Sequence, residues 1–342
     1  MTPQDTSITE RLNLGTDVLL RRKFMVTDEH VRANVRVGLM LEVLDKLAEE
    51  TALRYVRSFE PEAHVVTAAM DDLEVRNPPD VENDIILHAR VNFVGRTSME
   101  VGVRIEQDGL PNRHIASCYF TMVARKDDHS VLVQTLDYQT VDEKRRSIRA
   151  AERRSARSHG PPLDKPTIEE YAMLHELHRA LESDGKTALL ARDLITSGWE
   201  RTYPEHENVP QTIFGGHVIH HAYMYAHICA EMIADQRALL ACANRIDFYQ
   251  PVRMGDKLHF VSQVTYTGKT SLTVETSITR ISRDRRMTAL SNNCIFSFVN
   301  VDANLNTITV PQVYPTTYTE DTRYLAAYRR HGLRARNPLS SE

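Results

Sequence analysis

Gly95-Arg96-Thr97-Ser98-Met99-Glu100-Val101 and Gly268-Lys269-Thr270-Ser271-Leu272-Thr273-Val274 are two versions of one segment, so a structural unit has been used twice. Other features repeat with them. Each copy has a proline upstream (Pro78, Pro251), a similar strand downstream (117–123 and 293–299), and a glycine opening a long apolar helical stretch (Gly38; Gly215-Gly216). Solenoid repeats are roughly 20 to 50 residues long. A period this long therefore implies two homologous domains. The 342 residues fit two domains of about 100 to 200 residues, and 42% hydrophobic content supports a core in each.

A formal net charge of −4 gives no general attraction to nucleic acid or anionic membrane. Cys118, Cys229, Cys242 and Cys294 lie in apolar segments without CxxC spacing, as free buried thiols in a reducing compartment would, and a cytoplasmic location is expected. Residues 1–5 show neither a secretory signal nor a transit peptide, and no stretch approaches the ~20 apolar residues of a membrane span.

Each half places a helix before several strands, an α+β order. The spacing predicts a helix over 38–57 and strands over 64–76, 84–94, 97–107 and 114–125, then a helix over 216–235 and strands over 241–250, 256–267, 270–282 and 289–300. Period-two alternation puts Leu87, Ala89, Val91 and Phe93 on one face, and Leu258, Phe260, Val264 and Tyr266 on the inward face of the corresponding strand. Between the halves, 141–158 is polar and helical, Gly160-Pro161-Pro162 reads as a turn, and a second helix runs from Thr167 to Glu182. The expected division is 1–140, a helical connector over 141–190, and 191–342.

Val37-Gly38-Leu39-Met40-Leu41-Glu42-Val43-Leu44-Asp45, Val66-Thr67-Ala68, the Gly95 heptapeptide, Met122-Val123-Ala124-Arg125 and Ile213-Phe214-Gly215-Gly216 carry a resemblance covering about residues 25 to 331. The chain resembles the tandem-hotdog acyl-CoA thioesterases, most closely the branch whose animal members are mitochondrial. The resemblance implies two hotdog domains, each a central helix wrapped by an antiparallel sheet. It also implies hydrolysis of acyl-CoA to acid and CoA without metal or organic cofactor, and a homo-oligomer, a trimer of tandem chains.

The chemistry follows from the residues as well. A glycine at a helix N-terminus exposes backbone N–H groups and the positive dipole end to a developing oxyanion, and Gly215-Gly216 suits this better than Gly38; by spacing alone the pair is a turn before a helix. Asp45 falls at the margin of the helix's apolar stripe beside Leu41, Leu44, Ala48 and Ala52, where partial desolvation raises the basicity of a carboxylate. By the resemblance, an acid seven residues after the second glycine is general base or nucleophile, and it faces the glycines of the other hotdog. Asp45 is seven after Gly38 and works with Gly215-Gly216. The residue seven after Gly216 is Tyr223, so the reciprocal site with Val37-Gly38 is degenerate. The amide or acid the family carries three residues before its first glycine is replaced by Thr212, next to Gln211, while the first half has Asn34. Either Gln211 or Thr212 positions water for Asp45, or Asn34 takes part.

Arg96-Thr97-Ser98 and Lys269-Thr270-Ser271 each set a cation and two hydroxyls at a strand start, with Arg125 a further cation, and resemble strands that hold the CoA phosphates. His217, His220, His221 and His227 share helix faces, but no HExxH occurs and no acid on the helix is spaced to complete a metal site, so no metal is expected. His217, beside Gly216, is the histidine expected to touch substrate. Two other readings stand: a hotdog hydratase, which needs a paired Asp and His with an intervening Asn not found here, and a catalytically impaired acyl-CoA-binding protein, suggested by Tyr223.

Overall fold

The computed structural model describes the chain except residues 72, 110–112, 128, 159–164, 210–211, 245 and 337–342. The first half runs β1 (Ile8–Leu12), α1 (Val18–Phe24), α2 (Val37–Arg57), β2 (His64–Met70), β3 (Leu73–Val75), β4 (Ile85–Val94), β5 (Ser98–Gln107), β6 (His114–Lys126) and α3 (Val141–Ser158). After α4 (Ile168–Asp184) the order returns as β7 (Ile195–Arg201), α5 (Gly215–Glu231), β8 (Arg237–Ala243), β9 (Ile246–Asp247), β10 (Lys257–Thr267), β11 (Ser271–Ile281), β12 (Thr288–Val301) and α6 (Tyr318–Arg336). Leu41, Leu44, Leu47, Ala48 and Ala52 recur at helical spacing on α2 and are fully or almost fully buried against the sheet. Each such leucine contributes roughly 1.5 to 3 kcal/mol. A long helix wrapped by an antiparallel sheet is a hotdog, and the chain has two.

The two sheets are one, in the order β1-β4-β5-β6-β3-β8-β12-β11-β10-β7. The halves join where β3 pairs β8 (Leu73↔Ala243) and β9 pairs β2 (Ile246↔Met70), the same edge pairing made once from each side. Glu42 and His220 hold the same position in the two repeats, and they meet at 2.8 Å where α2 crosses α5, which marks a pseudo-twofold axis. The crossing is close because of two glycines. A Cβ on Gly38 would lie 2.8 Å from His220 Cδ2, and one on Gly216 3.0 Å from Glu42 Cα.

The repeated heptapeptides form equivalent hairpin ends. Gly95 N–H donates to Ser98 O at 2.7 Å and Gly268 N–H to Ser271 O at 2.8 Å, while Arg96 O and Lys269 O each accept a backbone bond at 3.0 Å from a later segment, Val133 and Val310.

Several expectations are corrected. Helix α3 lies within the expected connector, yet it begins with the same cap as α6. Thr140 Oγ1 accepts from Glu143 N–H (3.1 Å) while Glu143 Oε2 accepts from the N–H groups of Gln139 and Thr140, and Thr317 with Glu320 does the same for Thr316 and Thr317. Helix α3 packs on β4 and α6 on β10, so α3 stands to the first half as α6 stands to the second. The Gly160-Pro161-Pro162 turn lies outside the described residues. Alternation on β4 holds to Val91 and then slips: a bulge between Val91 and Phe93 buries Asn92 and turns Phe93 towards Arg154 of α3. The same slip between Val264 and Tyr266 sends Tyr266 to α6, its ring 5.0 Å from Tyr324, rather than inward. The strand expected over 241–250 instead starts at Arg237 and breaks after Ala243, and the helix expected to 235 ends at Glu231. No helix among the described residues is long and apolar enough to cross a membrane.

Candidate active site

Helix α2 delivers Asp45 to the junction of the halves, fully buried. Its Oδ1 accepts a 2.7 Å hydrogen bond from Thr67 Oγ1 on β2. Oδ2 is also buried, has no well-formed hydrogen bond among the described residues, and lies 3.2 Å from where a Gly215 Cβ would stand. Helix α5 starts at Gly215 with no side-chain cap on its first N–H groups. Burial pushes the Asp45 pKa up to about 7, against the pull of Thr67 and the Gly216 N–H, with Glu42 pushing further up. A carboxylate poised near neutrality thus lies against the uncapped N-terminus of the facing helix, with Phe248 beside it at the same face of Gly215.

The twofold-related position is built differently. Tyr223 replaces Asp45 and Leu240 replaces Thr67: each of the latter pair comes just before the bulge of its strand, Thr67 opposite Met122 and Leu240 opposite Phe298. Tyr223 is buried, stacked on His227 at 5.6 Å and edge-on to Phe296 at 5.6 Å, and desolvation drives its phenol pKa upward. Its Cδ1 lies 2.9 Å from where a Gly38 Cβ would be, so the ring covers that glycine. An apolar cavity with walls including Met40, Leu44, Tyr223, His227 and Leu240 opens on this side.

The other anticipated residues divide. Asn34 is buried and committed to its own loop: its Oδ1 accepts from the N–H groups of Val26 and Thr27, and its Nδ2 donates to Thr27 O and Glu29 O. Thr212 is half-buried, three residues before Gly215 opens α5, while Gln211 lies outside the described residues. Arg96 and Lys269 are exposed, and Thr97, Ser98, Thr270 and Ser271 half-buried. Thr67 pairs with Met122 and Met122 with Met99, while Thr97 O accepts from Ala124 N–H further along, so the Arg96 turn lies two strands over from β2 and past the level of Thr67. Arg154 of α3 lies against Gly95, adding a second cation at that turn. Arg125 is half-buried, on the rung of β6 opposite His64.

The helix α5 histidines have partners the sequence did not disclose. His217 Nε2 is 2.6 Å from Glu200 Oε1, and His221 Nδ1 3.0 Å from Glu200 Oε2. His206, in the turn Pro204–His206, stacks on His217 at 3.8 Å. His227 Nε2 lies 2.9 Å from Ala238 O. Burial pushes the His221 pKa down to about 4, with Glu200 opposing and the neighbouring histidines adding to the fall. His217 is therefore turned towards β7 and the 204–206 turn. An acid does complete the cluster, but it comes from a strand, where no helical spacing would reveal it.

The thioesterase superfamily model matches residues 38–111 and 211–285, one match in each half. The mouse mitochondrial acyl-coenzyme A thioesterase 9 is 28% identical over 349 residues, spanning 95% of this chain and 77% of that protein. Protein VdlD of Helicobacter pylori is 32% identical over 126 residues, 36% of this chain and 70% of that protein. The chain belongs to the thioesterase superfamily. Its two superfamily domains contain Asp45, Arg96 and Ser98 in the first match and Gly215, Gly216, Tyr223 and Lys269 in the second. The crystal structure of an acyl-ACP thioesterase from Bacteroides thetaiotaomicron shares the fold, with a TM-score of 0.51 and 10% identity over 87% of this chain and all of that one. The signal that could have singled out Thr67 was internal to the sequence: a threonine in a strand whose other copy has leucine.

Proposed function

We propose that this thioesterase-superfamily chain hydrolyses acyl-CoA to a carboxylic acid and CoA at one complete site, formed by Asp45 and Thr67 of the first half and Gly215-Gly216 of the second. The observation that carries the reading is the buried Asp45 carboxyl, with a pKa of about 7, set against the uncapped N-terminus of α5. The thioester carbonyl oxygen points at the first free N–H groups of α5, which stabilise the negative charge it acquires. Ionised Asp45 takes a proton from the attacking water, whose oxygen bonds to the carbonyl carbon. On collapse the C–S bond breaks, the electron pair leaves with sulfur, and Asp45 returns the proton to the CoA thiolate. Thr67 holds the carboxyl orientation through both transfers, and Thr212 is assigned to the attacking water.

The exposed Arg96 and Lys269 turns, with their hydroxyl neighbours and Arg125, are assigned to the CoA phosphates. Relatives such as the mouse acyl-coenzyme A thioesterase 9 support the substrate class by name. That relative is named mitochondrial; our reading of this chain is cytoplasmic, resting on four free, buried cysteines. The assembly we favour is a trimer of tandem chains. Release of free thiol from an acyl-CoA panel tests the activity, with Asp45→Ala as control. No thiol from any acyl-CoA, or full activity in the variant, overturns the mechanism.

A further inference from the structure

Glu200, His206, His217 and His221 form a polar cluster in one half only. By strand register, Glu200 pairs with Leu258 as Leu12 pairs with Ile85, and His217 and His221 hold the helix positions of Leu39 and Val43. A carboxylate and two imidazoles thus stand where the other copy keeps two leucines and a valine. Replacing apolar packing by semi-buried polar groups is costly unless each group is satisfied. Here two are not: His206 Nδ1 is buried with no hydrogen bond among the described residues, and Glu200 Oε2, though 3.0 Å from His221 Nδ1, makes no well-aligned one.

We propose that Glu200, His206 and His217 bind a divalent cation of the zinc class, with His221 orienting the carboxylate from behind. One ligand atom from each of the three lies within 4.8 Å of the others. Ligands at 2.0 to 2.1 Å in a tetrahedral zinc site are about 3.4 Å apart, so taking up an ion means unstacking the His206 and His217 rings and opening the Glu200–His217 contact, and it leaves a fourth position for water. Two nitrogens and one oxygen suit Zn²⁺ over Mg²⁺ or Ca²⁺, which favour all-oxygen shells. The positive end of α5 opposes a cation at its first turn, and Glu200 supplies the countercharge. His221 on the second carboxylate oxygen fits the outer-shell partner that metal-bound carboxylates have. The ion would tie β7, the 204–206 turn and the first turn of α5 together. That turn is already tied to the helix start by the hydrogen bond from Phe214 N–H to His206 O at 2.8 Å. The ion's role is to fix the glycine end of α5, not to supply a nucleophile.

Equilibrium dialysis of the tag-free full chain against Zn²⁺ tests this without reference to activity. The expected result is one Zn²⁺ per chain, bound at least tenfold more weakly by Glu200→Gln and by His206→Ala, with Asp45→Asn binding as wild type does. Zn²⁺ should raise the thermal midpoint of the wild type and not of His206→Ala. X-ray absorption on the Zn²⁺-loaded wild type, which needs no variant to fold, should show two imidazoles and no sulfur. No saturable binding, unchanged affinity in both variants, or a sulfur shell overturns the proposal.

Discussion

The two sides of the α2–α5 crossing share a backbone and differ in chemistry. On one, Asp45 and Thr67 face Gly215; on the other, Tyr223 and Leu240 face Gly38. Strand pairing, bulge position and helix start are matched on the two sides. The proposed site differs from its twofold mate in two side chains, Asp45 against Tyr223 and Thr67 against Leu240. The carboxyl is destabilising in its buried place, whereas Tyr223 packs among His227 and Phe296 and stays neutral. The first side keeps a buried carboxyl at an energetic cost, which our proposal assigns to chemistry, and the second packs as core.

The largest test of this contrast is Asp45→Asn. Loss of the base should lower kcat for thiol release by about 10²- to 10⁴-fold, and abolish the rise in wild-type rate with pH through about 7. The same variant should be more stable than the wild type. The folded carboxyl titrates at about 7 against an ordinary 3.8, so below 3.8 both states are protonated and no cost exists; the cost grows as pH rises and is complete above 7. At 1.36 kcal/mol per unit it reaches about 4 kcal/mol, visible as a gap between the two denaturation curves at pH 8 that closes at pH 3.5.

Gly215→Ala puts a methyl 3.2 Å from Asp45 Oδ2 and 3.0 Å from Phe248, where the reacting carbonyl must sit, and should cost roughly 10- to 100-fold in kcat/KM. Thr67→Val removes the bond that lowers the Asp45 pKa. Its pH–rate profile should move to higher pH by about one unit, a loss of about fivefold at pH 7 that alkaline buffer recovers. The smallest effect is expected on the side packed as core. Tyr223→Phe should leave kcat within about twofold, because that phenol takes no part in the reaction; a large loss would mean the two sides are not separate in function.

Much of the frame was legible because it is local or repeated. Glycine before an apolar helix, alternation over most of β4 and β10, and a period near half the chain suffice to give two copies of a helix followed by strands; that these are hotdogs facing each other is implied by the family resemblance. The spacing from Gly38 to Asp45 likewise survives into three dimensions, since one helix carries both. What escaped depends on partners from elsewhere in the chain. The bulges at Asn92 and Thr265 reverse the faces of Phe93 and Tyr266, and only the helices α3 and α6 packing there explain why that is tolerated. Thr67 and Glu200 reach their sites from strands β2 and β7, and the helix residues they meet, Asp45 and His217, are 22 and 17 positions away in sequence. Asn34 carried a family-like position but serves its loop, which residue type cannot reveal.

The seam between β3 and β8, with its mirror between β9 and β2, joins segments half the chain apart. Contacts of such long sequence separation form slowly, after the loops that reach them have closed. Each half can therefore be built first, with its open edge awaiting the other, and covalent tethering makes that last pairing independent of protein concentration. A half expressed alone would keep the open edge and seek a copy of itself. For the first half, that copy would bring two aspartates face to face with two Gly38 helix starts, a symmetric arrangement that the tandem chain does not have.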